Sequence, residues 1–310
     1  YSQFNRKFVL TFKIQLSRNS NKKKHSGFNH PKGLPHIEMV AHRRLLERDH
    51  LNRHRNRGIE IIAPMRGCFQ WWVEGQTLDL RPGEISVTLP WQEHGGQGGA
   101  FNVGELCWII IELDWKQGDE LHLDSWSQLP PQLIQQLGNK LSSATQPIAF
   151  KSDKGSDQLL EILKEIDEEK PHHSWRINRI IDDLFFDMHR SNLLDPDNHS
   201  GAPSLADQLN TLLSSTLHHP WTLEEISREM AQSPSWLNRG LREETGYSTM
   251  ELVTLHRIEK GKSLLETSSF NITQISQKCG FNTSQYFSSV FRKWVGNSPL
   301  QFREEKTQAS

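Results

Sequence analysis

One arrangement, an apolar helical stripe broken by a tight turn and then resumed, occurs twice between residues 221 and 302, and it narrows the possible folds more than any other feature. In the later copy Ile272, Ile275 and Cys279 recur at three- and four-residue intervals, Gly280 supplies a backbone that reaches positive φ, and Phe281 folds back on the pair. Asn282 is then placed to cap a second helix with Phe287, Val290, Phe291 and Trp294 as its stripe, stopped by Gly296 and Pro299. In the earlier copy Leu223, Ile226 and Met230 point inward, Ser233 caps the next helix, Pro234 opens it, and Leu237 and Leu241 face the core. The copies lie roughly 50 residues apart, the mark of a repeated supersecondary unit. Each reads as a helix-turn-helix, and the apolar run over 248–266 predicts a connecting helix on the order of 25 to 30 Å long.

The outward faces of the second helices carry polar side chains at helical spacing: Ser235, Asn238, Arg239 and Arg242 in the first, Gln285, Ser288, Ser289 and Arg292 in the second. Short hydrogen-bonding groups with an Arg suit a helix in a DNA major groove, where base edges present donors, acceptors and thymine methyls. The same spacing describes an ordinary solvated helix face, and the duplication decides between them. A connector of this length would hold the two reading helices about one DNA turn, roughly 34 Å, apart.

An ordered series runs through Ser233-Pro-Ser-x-Leu237, Glu244-Thr-Gly246, Arg257 with Leu264-Leu265, Ile272-Thr-x-Ile275, Gly280-Phe281, Tyr286-Phe287, Phe291-Arg-Lys293 and Gly296-x-Ser-Pro299 with Arg303. Over about a third of the chain this series resembles the AraC family of bacterial transcription regulators. The resemblance implies base contacts from Ser235, Asn238 and Arg239 in the first reading helix and from Ser284, Gln285 and Ser289 in the second. It also implies double-stranded promoter DNA as partner, a homodimer, and RNA polymerase as a further partner. Ser227 and Ser276 stand where the family carries a small Ala, Gly240-Leu241 replaces a bulky residue plus Phe, and Gly261 replaces an Ala of the connecting helix. The two Ser predict no change of fold. Each Gly costs about 1 kcal/mol of helix propensity relative to Ala while permitting close packing.

With 310 residues the chain can form two domains with separate cores. Its 36 basic and 37 acidic residues argue against indiscriminate coating of nucleic acid, so binding depends on where the charges point. Three scattered cysteines, Cys68, Cys107 and Cys279, form no zinc spacing and suit a reduced cytoplasm. No apolar run approaches the length of a membrane span. Residues 1–34, rich in Lys, Asn, Ser and Arg, lack the pattern of a signal peptide and are expected to be disordered or extended.

Over 35–194 the texture changes. Short strands are predicted at 59–63, 67–73, 77–80, 85–89 and 106–113, with Glu74-Gly75 and Pro82-Gly83 as turns. Such spacing argues for a small antiparallel β-barrel, and Leu80-x-Pro-Gly-Glu84 followed by Pro90 and His94 resembles the cupin-like sensor half that precedes many members of this regulator family. Helices over 130–141, 156–166 and 175–194 would flank the barrel and, by the same resemblance, form the dimer contact. The expected fold is therefore α+β: a cupin-like barrel at 35–194, a linker at 195–203, and an all-α domain at 204–306 with two helix-turn-helix units.

His54-x-Asn56-x-x-x-Glu60 and His94 follow the ligand spacing of a metal-binding cupin, with Asn where a second His belongs. Asn is a poor ligand for a transition metal, so the expectation is no metal and no cofactor. Instead Arg53, His54, Glu60, Trp71, Trp91 and His94 are candidates to line a cavity for a small effector, flat aromatic faces beside polar groups fitting a sugar-like or other hydroxylated molecule. The same tryptophans also fit a plain core. No nucleophile, general base or phosphate loop suggests an enzyme. The competing readings are a metal-dependent cupin enzyme fused to a DNA-binding module and a regulator without an effector.

Overall fold

A computed structural model of the chain describes residues 31–45, 51–96, 104–194 and 204–309. Most of the expected N-terminal extension and the whole expected linker at 195–203 lie outside them. At the described end of the extension Leu34 is fully buried, so residue 34 belongs to the core.

Among the described residues eight strands form two antiparallel sheets: β1 (Ile37–Leu45), β2 (Gly58–Arg66), β3 (Phe69–Val73), β4 (Gln76–Leu80), β5 (Glu84–Thr88), β6 (His94–Gly96), β7 (Gly104–Glu112) and β8 (Ile148–Lys151). One sheet runs β1-β7-β2-β5-β8, the other β4-β3-β6. The expected α+β class, with an antiparallel sheet half followed by a helical half, is observed, but the barrel is not closed. Pro82 and Gly83 carry the chain from β4 to β5 as a corner, and no ladder joins those two strands, so the sheets face each other with open edges.

Because β2 is central and buried along most of its length, its alternation serves two cores. Ile59 and Ile61 pack with Val87, Ile109 and Ile111 against three helices, while Ile62 packs with Phe69, Trp71, Leu78 and Leu80 between the sheets. The helices are α1 (Pro131–Ser142), α2 (Gly155–Glu168) and α3 (His173–Arg190). The predicted α3 stripe of Ile177, Ile180, Ile181, Leu184, Phe185 and Met188 is buried against the sheet. That helix stops at Arg190 rather than at 194, because Leu193 turns away to bridge Phe150.

The C-terminal half is helical: α4 (Leu205–Thr216), α5 (Leu223–Glu229), α6 (Pro234–Thr245), α7 (Thr249–Thr267), α8 (Ile272–Lys278), α9 (Ser284–Val295) and α10 (Pro299–Ala309). Ser204, Thr222, Ser248 and Asn271 each form a reciprocal capping box with the residue three positions on. Ser233 caps α6 as expected, but α9 is capped by Thr283 rather than Asn282. Thr283 has the extended backbone of a cap, and its hydroxyl accepts the Tyr286 N–H at 3.1 Å.

Two small cores result. Leu209, Leu213, Ile226, Leu237, Leu241 and Val253 form one, and Ile258, Ile275, Phe281, Phe287, Phe291 and Trp294 form the other, with α7 contributing to both. Gly261 is where the second core is tightest, since a Cβ there would lie 2.9 Å from the Phe287 ring.

Among the described residues the halves meet at a joint where the β2–β3 turn and β1 touch the ends of α6 and α9. The Gly67 N–H, in the β2–β3 turn, donates to the Thr245 carbonyl at the end of α6 at 2.6 Å. Arg66 lies 5.3 Å from the centre of the Tyr247 ring, and Arg44 lies 5.4 Å from that of Trp294 at the end of α9. Arg44 is itself held by Glu105, whose carboxylate accepts its Nε–H at 2.7 Å.

Candidate functional site

Each helix-turn-helix depends on a left-handed residue after its first helix: Gly280 at φ +79° in the second unit and Ala231 at φ +53° in the first. Only the glycine announces such a turn in sequence. An alanine held there costs on the order of 1 kcal/mol, so Ala231→Gly is expected to raise stability by about 0.5 to 1 kcal/mol in urea unfolding. No gain would mean that the residue relaxes out of that conformation. Arg257 and Arg303, both in the sequence motif, brace the units instead of facing outward. Arg257 donates to Leu217 O and His219 O at 3.3 and 2.6 Å, and Arg303 to Leu265 O and Phe270 O at 3.4 and 2.6 Å.

On α6 Ser235, Arg239 and Arg242 are exposed, with Glu243 3.9 Å from Arg239 in a solvated pair of little energetic weight. Asn238 lines the same open cleft as Ser235, Arg239 and Arg242. It is half-buried, and its Oδ1 accepts the Thr249 N–H at 3.0 Å, which ties α6 to the first turn of α7. On α9 Gln285, Ser289 and Arg292 are exposed. Ser284 and Ser288 are half-buried, and the Ser288 hydroxyl donates back to Ser284 O at 2.8 Å, so Ser288 also faces its own helix. Sequence reasoning missed Trp236 and Tyr286, which are 42% and 60% exposed at the third position of their helices. Counting from the two caps would have paired them. The result is two equivalent helices, each with a free polar face and an exposed aromatic near its N-terminus.

A second cluster lies in the sheet half. His54 and His94 pair across an isolated bridge, each N–H donating to the other's carbonyl at 3.0 Å. Their Nδ1 atoms sit 3.0 Å from the carbonyls of Asn52 and Gln92 respectively. His94 Nε2 is 2.8 Å from Glu60 Oε2, and Asn56 Nδ2 lies 3.2 Å from both of those atoms. Burial pushes the Glu60 carboxyl up, but the hydrogen bond and charge of His94, with help from His54 and Asn56, hold it below the usual range. Burial pulls His94 down, and Glu60 more than offsets this, leaving it raised. His54 is lowered by burial and by the charge of His94.

Of the predicted effector residues, His54, Glu60 and His94 come together, with the Trp71 ring centred 5.7 Å from that of His94. Arg53 is elsewhere, 3.9 Å over the Trp72 ring. Trp91 is elsewhere too, packing edge-on against Trp115 and lining a separate cleft of about 340 Å³ with Arg55, Glu74 and Gln92. The alternation of a strand gives the face of a side chain but not which of two sheets that face meets.

Residues 226–305 match a protein-family model described as a helix-turn-helix domain. Over 107 residues the chain is 34% identical to the HTH-type transcriptional regulator GadX of Escherichia coli K12, covering 34% of this chain and 38% of GadX. Over 175 residues it is 29% identical to the HTH-type transcriptional activator RhaR of Escherichia coli O139:H28, covering 54% of this chain and 61% of RhaR. The chain thus spans less than two thirds of the length of these curated relatives. A solved structure of a DNA-binding transcriptional dual regulator from Escherichia coli K-12 is 32% identical with a TM-score of 0.33, covering 34% of this chain and 95% of that one.

Proposed function

We propose that this chain, whose C-terminal region is an AraC-family helix-turn-helix domain, is a sequence-specific DNA-binding transcription regulator of promoter DNA. The observation that carries the reading is the duplicated unit: α6 and α9 each present a free polar face, and the 19-residue α7 joins them over about 28 Å. Arg239, Arg242, Ser235, Gln285, Ser289 and Arg292 are the side chains with open access to a groove. The half-buried Asn238, Ser284 and Ser288 contribute through whatever bonding capacity the fold leaves them. The named relatives are regulators, which supports regulation rather than catalysis.

The sheet half is the sensor in this reading, with the His54, Glu60 and His94 cluster and the neighbouring Trp71 as its effector pocket. An effector changes DNA occupancy only if it favours one arrangement of the two halves, or of a dimer, over another. A homodimer is supported by α3, which exposes Trp175 (64%) and Phe186 (39%) on its outer side. Among the described residues no helix is long and apolar enough to cross a membrane, which fits a regulator acting on DNA in the cytoplasm.

Selection of binding sites by the full chain from a random DNA pool is expected to enrich one bipartite operator. On that operator Arg239→Ala and Gln285→Ala each weaken binding by about 1 to 3 kcal/mol, with the loss confined to opposite half-elements in a footprint. Equal loss on random DNA would make these side chains phosphate contacts. Failure to enrich any site would overturn the reading.

A further inference from the structure

We infer that Trp236 and Tyr286 seat the two reading helices against the deoxyribose-phosphate walls of the DNA groove, a role separate from the base reading of their polar neighbours. The inference rests on the DNA-binding reading. Among the described residues six large hydrophobic side chains are exposed, and two of them, Trp236 and Tyr286, occupy the third position of α6 and α9. One exposed aromatic needs no explanation. Two at the same place in duplicated units do, because the outward residues around them are not kept: Ser235 corresponds to Gln285 and Arg239 to Ser289.

Their place on the helix decides which part of the DNA they meet. Successive helix residues are about 100° apart, so each aromatic lies midway between the outward Ser235 or Gln285 before it and the buried Leu237 or Phe287 after it. That is the flank of the helix. It is also near the N-terminus, the end of a reading helix that enters the groove. A helix with its side chains is about 10 to 12 Å across and the major groove about 12 Å wide, so the outward row faces the base edges while the flanks press on the walls. Those walls are deoxyribose carbons and phosphate oxygens. An indole or a phenol matches both, with an apolar face for the sugar and an N–H or O–H at its rim for the phosphate. The backbone under each ring is fixed in advance, since the Ser233 hydroxyl accepts the Trp236 N–H at 3.3 Å and the Thr283 hydroxyl accepts the Tyr286 N–H at 3.1 Å. Tyr286 also rests edge-on against Phe281, with ring centres 5.9 Å apart. The two rings thus set how deep and in what register the polar rows enter.

The test uses the full chain and the operator it selects. Trp236→Ala and Tyr286→Ala are each expected to weaken binding roughly 10-fold on operator and random DNA alike, the scale of losing about 60 Å² of apolar contact. A hydroxyl-radical footprint, which reads the exposure of each deoxyribose, is expected to lose protected sugars in one half-element for Trp236→Ala and in the other for Tyr286→Ala. The slope of log affinity against log salt stays that of the parent, since no cation is removed. Trp236→Phe and Tyr286→Phe keep a ring and most of the protection. Parent-like sugar protection in both alanine variants, on an operator the parent binds, would overturn this inference alone, as would a loss of binding that tracks a fall in melting temperature. A parent that enriches no operator would take down the DNA-binding reading and this inference with it.

Discussion

Phe287→Ala is expected to lower the stability of the helical half by about 3 to 5 kcal/mol. Phe287 is fully buried on the inner face of α9, with the rings of Phe281 and Phe291 at 5.2 and 5.4 Å and the bare backbone of Gly261 beneath it. The absence of a side chain at residue 261 lets α7 and α9 approach closely, and the Phe287 ring fills the space so created. Truncation removes the transfer free energy of the ring and leaves a hole walled by helices whose own caps and guanidinium braces resist collapse. Urea unfolding followed by far-ultraviolet circular dichroism measures it. A loss below about 1 kcal/mol would mean that the second core closes around the gap and that the ring is not its keystone.

The second large effect is a dependence on acid. His42, Arg44 and Arg66 act against burial to hold the Glu105 carboxyl at about 2, well below its ordinary value of 4.5. At 3.6 Å the His42 contact is long, so the 2.7 Å bond from Arg44 is the firmer anchor. Because the folded value is depressed, the stabilisation is complete above pH 4.5 and disappears as the pH falls toward 2. The gap corresponds to about 2 to 3 kcal/mol, allowing for the partial exposure of Arg44. Glu105→Gln is therefore expected to lose about that amount at pH 7 and to show a flatter stability profile between pH 5 and 2 than the parent. Parallel profiles would remove Glu105 from the account.

The helical half was legible because its signals are local. Stripes such as Phe287, Phe291 and Trp294 recur at the helical period, and Ser233 with Pro234 marks a helix start without ambiguity. Asn282 and Thr283 are both capping residues, so backbone geometry alone separates them. Ala231 gives no hint of its positive φ, and Asn238 gives none of its bond to Thr249, because that bond depends on how α6 meets α7. The sheet half yielded five strands and hid three. β1 has its pattern obscured by His42, Arg43 and Arg44, β6 has three residues with two glycines, and β8 is too short to show a period. His54, Glu60 and His94 were legible by spacing, whereas Arg53 and Trp91 required knowing how two sheets face each other.

The joint described above grips α6 and α9 by their heels, at Thr245 and Trp294, and leaves the toes carrying Ser235 and Gln285 bare. A 12-residue rod is about 18 Å long, so a swing of about 10° at the heel carries the toe about 3 Å sideways, close to the roughly 3.4 Å between stacked base pairs. A slight shift of the gripping loop is therefore enough to move a fingertip from one rung of the ladder to the next.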